Sequence, residues 1–559
     1  MTTSTIAPPT PHRSRRLACS IDAVWLAIVA AFPFIVLCFS ALPVDDGDLW
    51  WTLDLGRATW LAGALPASDP LAYTPTPQPY VYAQWLAGVL LYGAYRLGGY
   101  ELLIALRAAI VAAIFAVLYR GCRRGGAAPP LAGLCTILAL PLVNVGLTLR
   151  PQILALLPFV LYLEATRWPA PAESGRARLR AWLPLVMVFW ANLHGSFLFG
   201  LGLVGIALVG RGWDLARAGA TVGPSTERAA SLPPDRDRAE PPARSREAPG
   251  ERGRWAALAS EPELRSLSRL LVLSALAPLV NPYGLGFLAY LRDYLAVNPG
   301  HGELVGMLTE WLPTRLDTPG GPAFFASVLA LGAALLAAGL RSRRRPLATD
   351  EALRLLTFGL LALRWIRGIV WWGLVAPAPL AGAVQQALGG ASAQAVARRS
   401  QANAVVVALI VGVAAASLPW WRSAALGDAG AAVEPSAVID AVDAVLADPP
   451  GGRPFAYVAW GPYLAWRAGP ATRLFVDGRY EAYQPAVFRE YERLSRGEPG
   501  WESTLADYGV GYLVLSRGGQ AGLVAAAAAS ADWRQTFAAG DAVVFRRLTG
   551  GQTARAGAS

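Results

Sequence analysis

The sequence predicts a polytopic α-helical membrane protein of about eleven transmembrane helices, with a C-terminal extracytoplasmic α/β domain. Three observations carry that expectation. Of the 559 residues, 54% are hydrophobic and only 16% charged, with mean hydropathy +0.38, which is too apolar for a soluble domain and too long for one core. Apolar runs of near-spanning length recur through the first three quarters of the chain. Beyond Trp420-Trp421 the pattern changes to the short mixed segments of a soluble unit.

The apolar runs fall at 21–43, 101–119, 127–147, 151–163, 182–193, 197–209, 270–290, 323–340, 353–366, 369–384 and 402–419. The first follows a basic tail (Arg13, Arg15, Arg16) and has no small-residue cleavage site, so it reads as an uncleaved anchor. Arginines then mark alternate connections: Arg120, Arg123 and Arg124; Arg167, Arg176, Arg178 and Arg180; Arg341, Arg343, Arg344 and Arg345; Arg398 and Arg399. Positive residues stay cytoplasmic, which places the N-terminus inside and the C-terminal domain outside the cytoplasm. This parity requires that 80–97, with Trp85, Tyr92 and Tyr95, lie in the interface or re-enter instead of crossing.

The resulting organisation is a cytoplasmic basic tail (1–20), a transmembrane domain (21–425), a soluble domain (431–549) and a disordered tail (550–559). Within the membrane domain, 44–100 is the first outer loop. The stretch 212–266, rich in Arg, Glu, Pro and Ser with almost no aromatics, reads as a disordered cytoplasmic loop. In the soluble domain, strands are expected at 455–458, 473–476, 512–515 and 542–546, and helices at 437–446, 485–495 and 522–529.

The net charge of +11 (49 basic against 38 acidic residues) and a pI near 9.7 suggest a polyanion partner at first sight. There is no lysine, and many of the arginines sit in alternate connections that orient the spans, so nucleic acid is not expected. The four cysteines show no CxxC spacing and no phosphate-binding loop is present, which argues against zinc scaffolds and nucleotide-driven chemistry.

The chemistry concentrates in Val44-Asp45-Asp46-Gly47-Asp48-Leu49-Trp50-Trp51. Carboxylates at an apolar boundary need a cation, and Asp46 and Asp48 are hard oxygen ligands suited to Mg²⁺ or Mn²⁺. A simpler reading makes Asp48 the N-cap of a following helix. The acids are followed by Leu55-Gly56-Arg57, Gly63-Ala64-Leu65-Pro66, Asp69-Pro70, Tyr73-Thr74, Gln84-Trp85-Leu86, Tyr95-Arg96-Leu97-Gly98-Gly99 and Arg107. Over about residues 20–125 this series resembles the first outer loop of the GT-C glycosyltransferases, in particular bacterial lipid-sugar-dependent mannosyl- and aminoarabinosyl-transferases.

The resemblance implies a glycosyltransferase taking a sugar from a polyprenyl-phosphate donor to an envelope lipid, glycan or protein acceptor, with inversion. Asp45, Asp46 or Asp48 would be the general base, Asp46 foremost. Candidates to hold the departing lipid phosphate are Arg57, Arg107, Arg150, Arg364 and Arg367. Candidate substrate contacts are Trp50, Trp51, Gln84, Trp85, His194 and His301. Thr52 and Ala83-Gln84 stand where nearest relatives carry other residues, which keeps a non-catalytic cell-envelope assembly role in view beside a lipid-linked saccharide transporter. In the C-terminal domain, Trp460-Gly461-Pro462-Tyr463 is similar to the layout of oligosaccharyltransferase soluble domains but lacks their acidic residue. Asp477 and Arg479 read as a tight turn held by an ion pair, or as site residues at the end of a strand.

Overall fold

The computed structural model describes residues 18–76, 80–167, 174–221, 260–300, 309–341, 347–389, 399–421, 433, 436–479 and 482–548; at 174–177, 218–221, 294–300 and 309 it describes backbone alone. The expected tails, His301, Arg343 to Arg345, Arg398 and most of the 212–266 loop lie outside these residues.

Every apolar run is helical over most of its length. The helices are α1 Ile21–Phe39, α2 Gly47–Ala62, α3 Trp85–Arg124, α4 Pro129–Ile137, α5 Leu140–Val143, α6 Pro151–Thr166, α7 Ser174–Leu193 and α8 Phe197–Thr221. They continue with α9 Pro262–Leu276, α10 Gly286–Gly300, α11 Gly321–Arg341, α12 Thr349–Arg364, α13 Ile369–Val375, α14 Pro377–Ala387 and α15 Gln401–Ala416. Among the described residues, five helical stretches are long and apolar enough to cross a membrane, and a sixth if the α13–α14 pair, bent by 50°, is one span. The chain is a multi-pass membrane protein, but by this criterion the expectation of eleven spans is not met. Several runs are too short or are interrupted: Asn281-Pro282 separates α9 from α10 inside the expected 270–290 span. The ends of the 212–266 stretch are also ordered, since α8 continues to Thr221 and α9 begins at Pro262.

Residues 85–97 of the 80–97 segment form the first part of α3, and the chain breaks helical geometry at Gly98 and Gly99 before resuming. Gly99 sits at φ +63°, a region that a side chain disfavours, so the elbow depends on glycine. A second close approach locks α2 onto α3. A Cβ on Gly56 would lie 2.2 Å from the Gly88 carbonyl oxygen, and a Cβ on Gly88 would lie 3.1 Å from the Thr52 carbonyl oxygen. Gly56→Val is expected to force the two backbones apart and to cost about 1–3 kcal/mol. Thermal unfolding of the detergent-solubilised protein checks this, and an unchanged midpoint would show the crossing to be pliable.

The C-terminal domain holds helices α16 Ala437–Ala447, α17 Gly461–Ala468, α18 Pro485–Ser495, α19 Trp501–Asp507 and α20 Ala521–Ala529, with strands β1 Arg453–Ala456, β2 Val510–Ser516, β3 Trp533–Ala539 and β4 Ala542–Arg547. The sheet order is β1-β2-β4-β3, with β1 parallel to β2 and the other pairs antiparallel. The expected strand at 473–476 is not in the sheet. Leu474 instead bridges to Ala72 of the α2–α3 connection: its N–H donates to the Leu71 carbonyl at 2.7 Å, and its carbonyl accepts from Tyr73 N–H at 3.0 Å. Phe455, Phe475 and Tyr491 pack in the same core as Ala72, so part of the first connection is built into the domain.

Candidate active site

The acids lie where α1 gives way to α2. The N-cap of α2 is Asp46, and its side chain makes no capping hydrogen bond, so both the sequence expectation of an Asp48 cap and a purely capping role for Asp46 fail. Asp45 is exposed, whereas Asp46 is 7% exposed. Both Asp46 and Asp48 turn to Arg150. Its Nε donates to Asp46 Oδ1 at 2.9 Å and its terminal nitrogen stands 3.2 Å from Asp48 Oδ2. The same guanidinium binds Glu310.

Helix polarity explains the convergence. Arg150 immediately precedes α6, which starts with Pro151 at a position where the missing N–H costs nothing. Glu310 lies in a short turn before α11, and Arg367 in the turn between α12 and α13. His194 joins the end of α7 to the start of α8. Arg367 reaches Glu310 Oε2 at 3.7 Å and Gln152 Oε1 at 3.5 Å, and its guanidinium lies 5.3 Å from the Trp311 ring centroid. Residues from five separate connections therefore meet at one end of the bundle.

Burial drives the titration of these groups. It pushes Asp46 up to about 6, against the pull of Arg150 and with the help of Asp48. Burial also favours neutral Glu310, but Arg367 and Arg150 together hold its carboxyl below the usual range. For Arg150, burial opposes the charge and the three carboxylates outweigh it, so the guanidinium stays firmly protonated. Burial, with Arg367 adding to it, lowers His194 to about 3. The Ser196 backbone N–H donates to His194 Nδ1 at 3.1 Å, which leaves the proton of the neutral ring on Nε2.

A second ionic cluster lies behind the acids. Arg479 is 4% exposed, and its guanidinium contacts Asp477 at 2.6 Å and Asp69 at 3.0 Å. It also donates to the Tyr80 hydroxyl at 2.8 Å. The face of Trp51 lies 5.9 Å from the same guanidinium, and the Trp51 indole donates to Asp48 Oδ1 at 3.0 Å. A Cβ on Gly478 would approach that oxygen at 3.3 Å. The Asp477–Arg479 turn thus presses the C-terminal domain against Asp48. Asp69 and Tyr80 complete the cluster; Asp69 was legible only as part of the Asp69-Pro70 step of the first outer loop, and neither residue was a candidate for the site.

Other expected site residues have different partners. Arg57 pairs with Asp54, donates to the Trp466 carbonyl at 3.3 Å and stacks on the Trp466 ring. Burial pushes Asp54 up to about 7, with Arg57 opposing. Arg107 donates to the carbonyls of Leu37 (3.2 Å) and Ser40 (2.9 Å), closing the end of α1. Arg364 is exposed against Trp365. Trp50 is fully buried, with its indole donating to the Val44 carbonyl at 3.0 Å and its ring against Tyr463. Trp85 donates to Asn192 Oδ1 at 2.8 Å, and Gln84 stands at the N-cap of α3.

The acids do not fit a divalent cation as they stand. Asp46 Oδ1 accepts a hydrogen bond from Arg150 and Asp48 Oδ2 is ion-paired to it, and among the described residues no group of three or more His, Cys, Asp or Glu is arranged to hold a metal ion.

Comparison with solved structures finds the same architecture. The Archaeoglobus fulgidus oligosaccharyltransferase in its apo form superposes with TM-score 0.50 at 12% identity, covering 92% of this chain and 73% of that one. The chain shares the fold of that oligosaccharyltransferase. Two further structures from that organism are similar at 12% identity: AglB in complex with an inhibitory peptide and a dolichol-phosphate (TM-score 0.49, covering 92% and 72%), and the oligosaccharyltransferase in complex with Zn and sulfate (0.48, covering 88% and 68%). No protein-family model and no curated protein matches the sequence.

Proposed function

We propose that this chain is a membrane glycosyltransferase that moves a sugar or glycan from a polyprenyl-phosphate-linked donor to an envelope lipid, glycan or protein acceptor. The observation that carries the reading is the Asp46–Arg150–Asp48 arrangement, set at the domain-bearing end of a GT-C bundle. Asp46 is the general base. Its raised value makes it basic near neutral pH, and its Oδ2 has no hydrogen-bond partner among the described residues. As the acceptor oxygen bonds to the anomeric carbon from the side opposite the phosphate, its proton passes to Asp46. The bond from that carbon to the phosphate oxygen breaks with inversion, and Arg150 and Arg367 face the departing negative charge. The N-terminus is cytoplasmic and the chemistry takes place outside a bacterial inner membrane, which the alternating arginine-rich connections support.

A lipid-linked saccharide transporter would carry its charges within broken helices at mid-span. Here Asp46, Asp48, Arg150, Glu310 and Arg367 all lie in connections or at helix ends, which favours transfer. The deciding experiment is glycan and lipid analysis of a deletion strain. The expected result is loss of one glycoconjugate with accumulation of its lipid-linked donor, restored by the wild-type chain and not by Asp46→Asn. Unchanged glycoconjugates in the deletion strain would overturn the reading.

The pH dependence follows from Asp46. Below about 6 the carboxyl holds its proton and takes none from the acceptor, so kcat/KM is expected to rise through about pH 6 and level off above it. A pH–rate profile in proteoliposomes checks this, and an acid limb near 4 would point to a solvated carboxylate instead.

A further inference from the structure

We infer that Arg150 stands in the place of a divalent cation, so that the acidic centre of this chain is closed by a guanidinium and works without bound metal. Asp46, Asp48 and Glu310 come from two distant parts of the chain and converge on this one side chain. Three carboxylates gathered at the end of an apolar bundle require positive charge. A hard divalent ion supplies it through oxygens about 2.0–2.6 Å away. Arg150 supplies it through N–H groups, at hydrogen-bond distances of 2.9 Å to Asp46 and 3.2 Å to Asp48.

Arg367 adds a second guanidinium beside Glu310, which leaves the five groups with a net charge of about −1 before any substrate arrives. A dication added to this set would face two fixed cations and, with Asp46 Oδ2 alone left open, would have to displace Arg150 from Asp46 Oδ1, Asp48 and Glu310 to gain further ligands. The planar guanidinium is also permanently charged, so the closure does not depend on metal supply or on proton uptake. In the presence of a donor phosphate, the same side chain offers N–H groups where a metal would offer a coordination position.

The inference predicts a gain of function in metal binding. Full-length wild-type protein in detergent should show no saturable Mn²⁺ binding at this centre by electron paramagnetic resonance or equilibrium dialysis. Arg150→Gln, which frees the three carboxylates to close on an ion that their present spacing does not hold, should bind a single Mn²⁺ per chain. Adding Asp46→Asn to that variant should abolish the binding, and Arg150→Lys, which keeps a cation, should not acquire it. Thermal unfolding with and without Mn²⁺ provides a parallel readout, with Mn²⁺ raising the midpoint of Arg150→Gln alone. Saturable Mn²⁺ binding by wild type that Asp46→Asn removes would overturn the inference. So would a folded Arg150→Gln variant that binds no Mn²⁺. Both readouts are of binding and not of transfer, so they stand or fall separately from the glycosyltransferase reading.

Discussion

Asp46→Asn is expected to lower transfer by about 10²–10⁴-fold while leaving the protein folded. Asparagine keeps the shape of the side chain, and its Oδ1 can still accept from Arg150 Nε, as Asp46 does at 2.9 Å. What it loses is the capacity to take a proton. Asp48→Asn should have a smaller effect. Asp48 is more open than Asp46, and its role is to hold Arg150 and accept from Trp51, interactions that an amide oxygen retains in part. Asp45→Asn should be close to wild type, since Asp45 is exposed. The graded order Asp46, Asp48, Asp45 is the informative result. Wild-type transfer by all three variants would remove the general-base assignment, and an inverted order would move it to Asp48.

Arg479→Met is expected to destabilise the protein by about 3–5 kcal/mol, because it leaves Asp69 and Asp477 buried without a counter-charge. Asp477 is wholly buried and Asp69 nearly so, which gives water little opportunity to compensate. The cost should fall on the joint between the first connection and the soluble domain, seen as early proteolysis there and a lower thermal midpoint. A triple variant carrying Asp69→Asn, Asp477→Asn and Arg479→Met should be milder than the single change, since no unpaired charge remains. If the single variant is no less stable than the triple one, the cluster does not act as an ion-paired joint. Transfer should fall in Arg479→Met beyond what instability explains, because Trp51 links the Arg479 guanidinium to Asp48.

The helices were legible because apolar length is a local property. The runs at 21–43, 197–209 and 323–340 appear as α1, α8 and α11 with ends shifted by only a few residues except where α8 extends to Thr221. The break at Gly98-Gly99 falls just after the 80–97 segment that the parity of arginine-rich connections set apart from the span that follows, but no local signal marked those two glycines as the break. The acidic motif was visible as a motif and Arg150 as a candidate cation, but their direct pairing and the part of Glu310 were not. Glu310 lies far along the chain in an ordinary-looking Thr-Glu-Trp stretch, and only helix polarity shows that it shares an end of the bundle with Asp46. Phe475 and its neighbours read as a strand because they are apolar and bounded by polar residues. Their partner is the 71–74 segment and not the sheet, and periodicity cannot report a partner. Arg57 and Arg107 were plausible anion binders by position, yet each has a carboxylate or carbonyls of this chain within reach.

The first helix is fastened at both ends to segments made late. Before it, Cys19 exchanges backbone hydrogen bonds with Ser400, at 3.1 and 2.9 Å; after it, Leu42 bridges to Val433. Asp46 stands four residues beyond Leu42, so its final seat depends on chain that leaves the ribosome some 380 residues later. During biosynthesis the acids would enter the membrane boundary early and wait, without the neighbours that orient them, until the last apolar helix docks against the first.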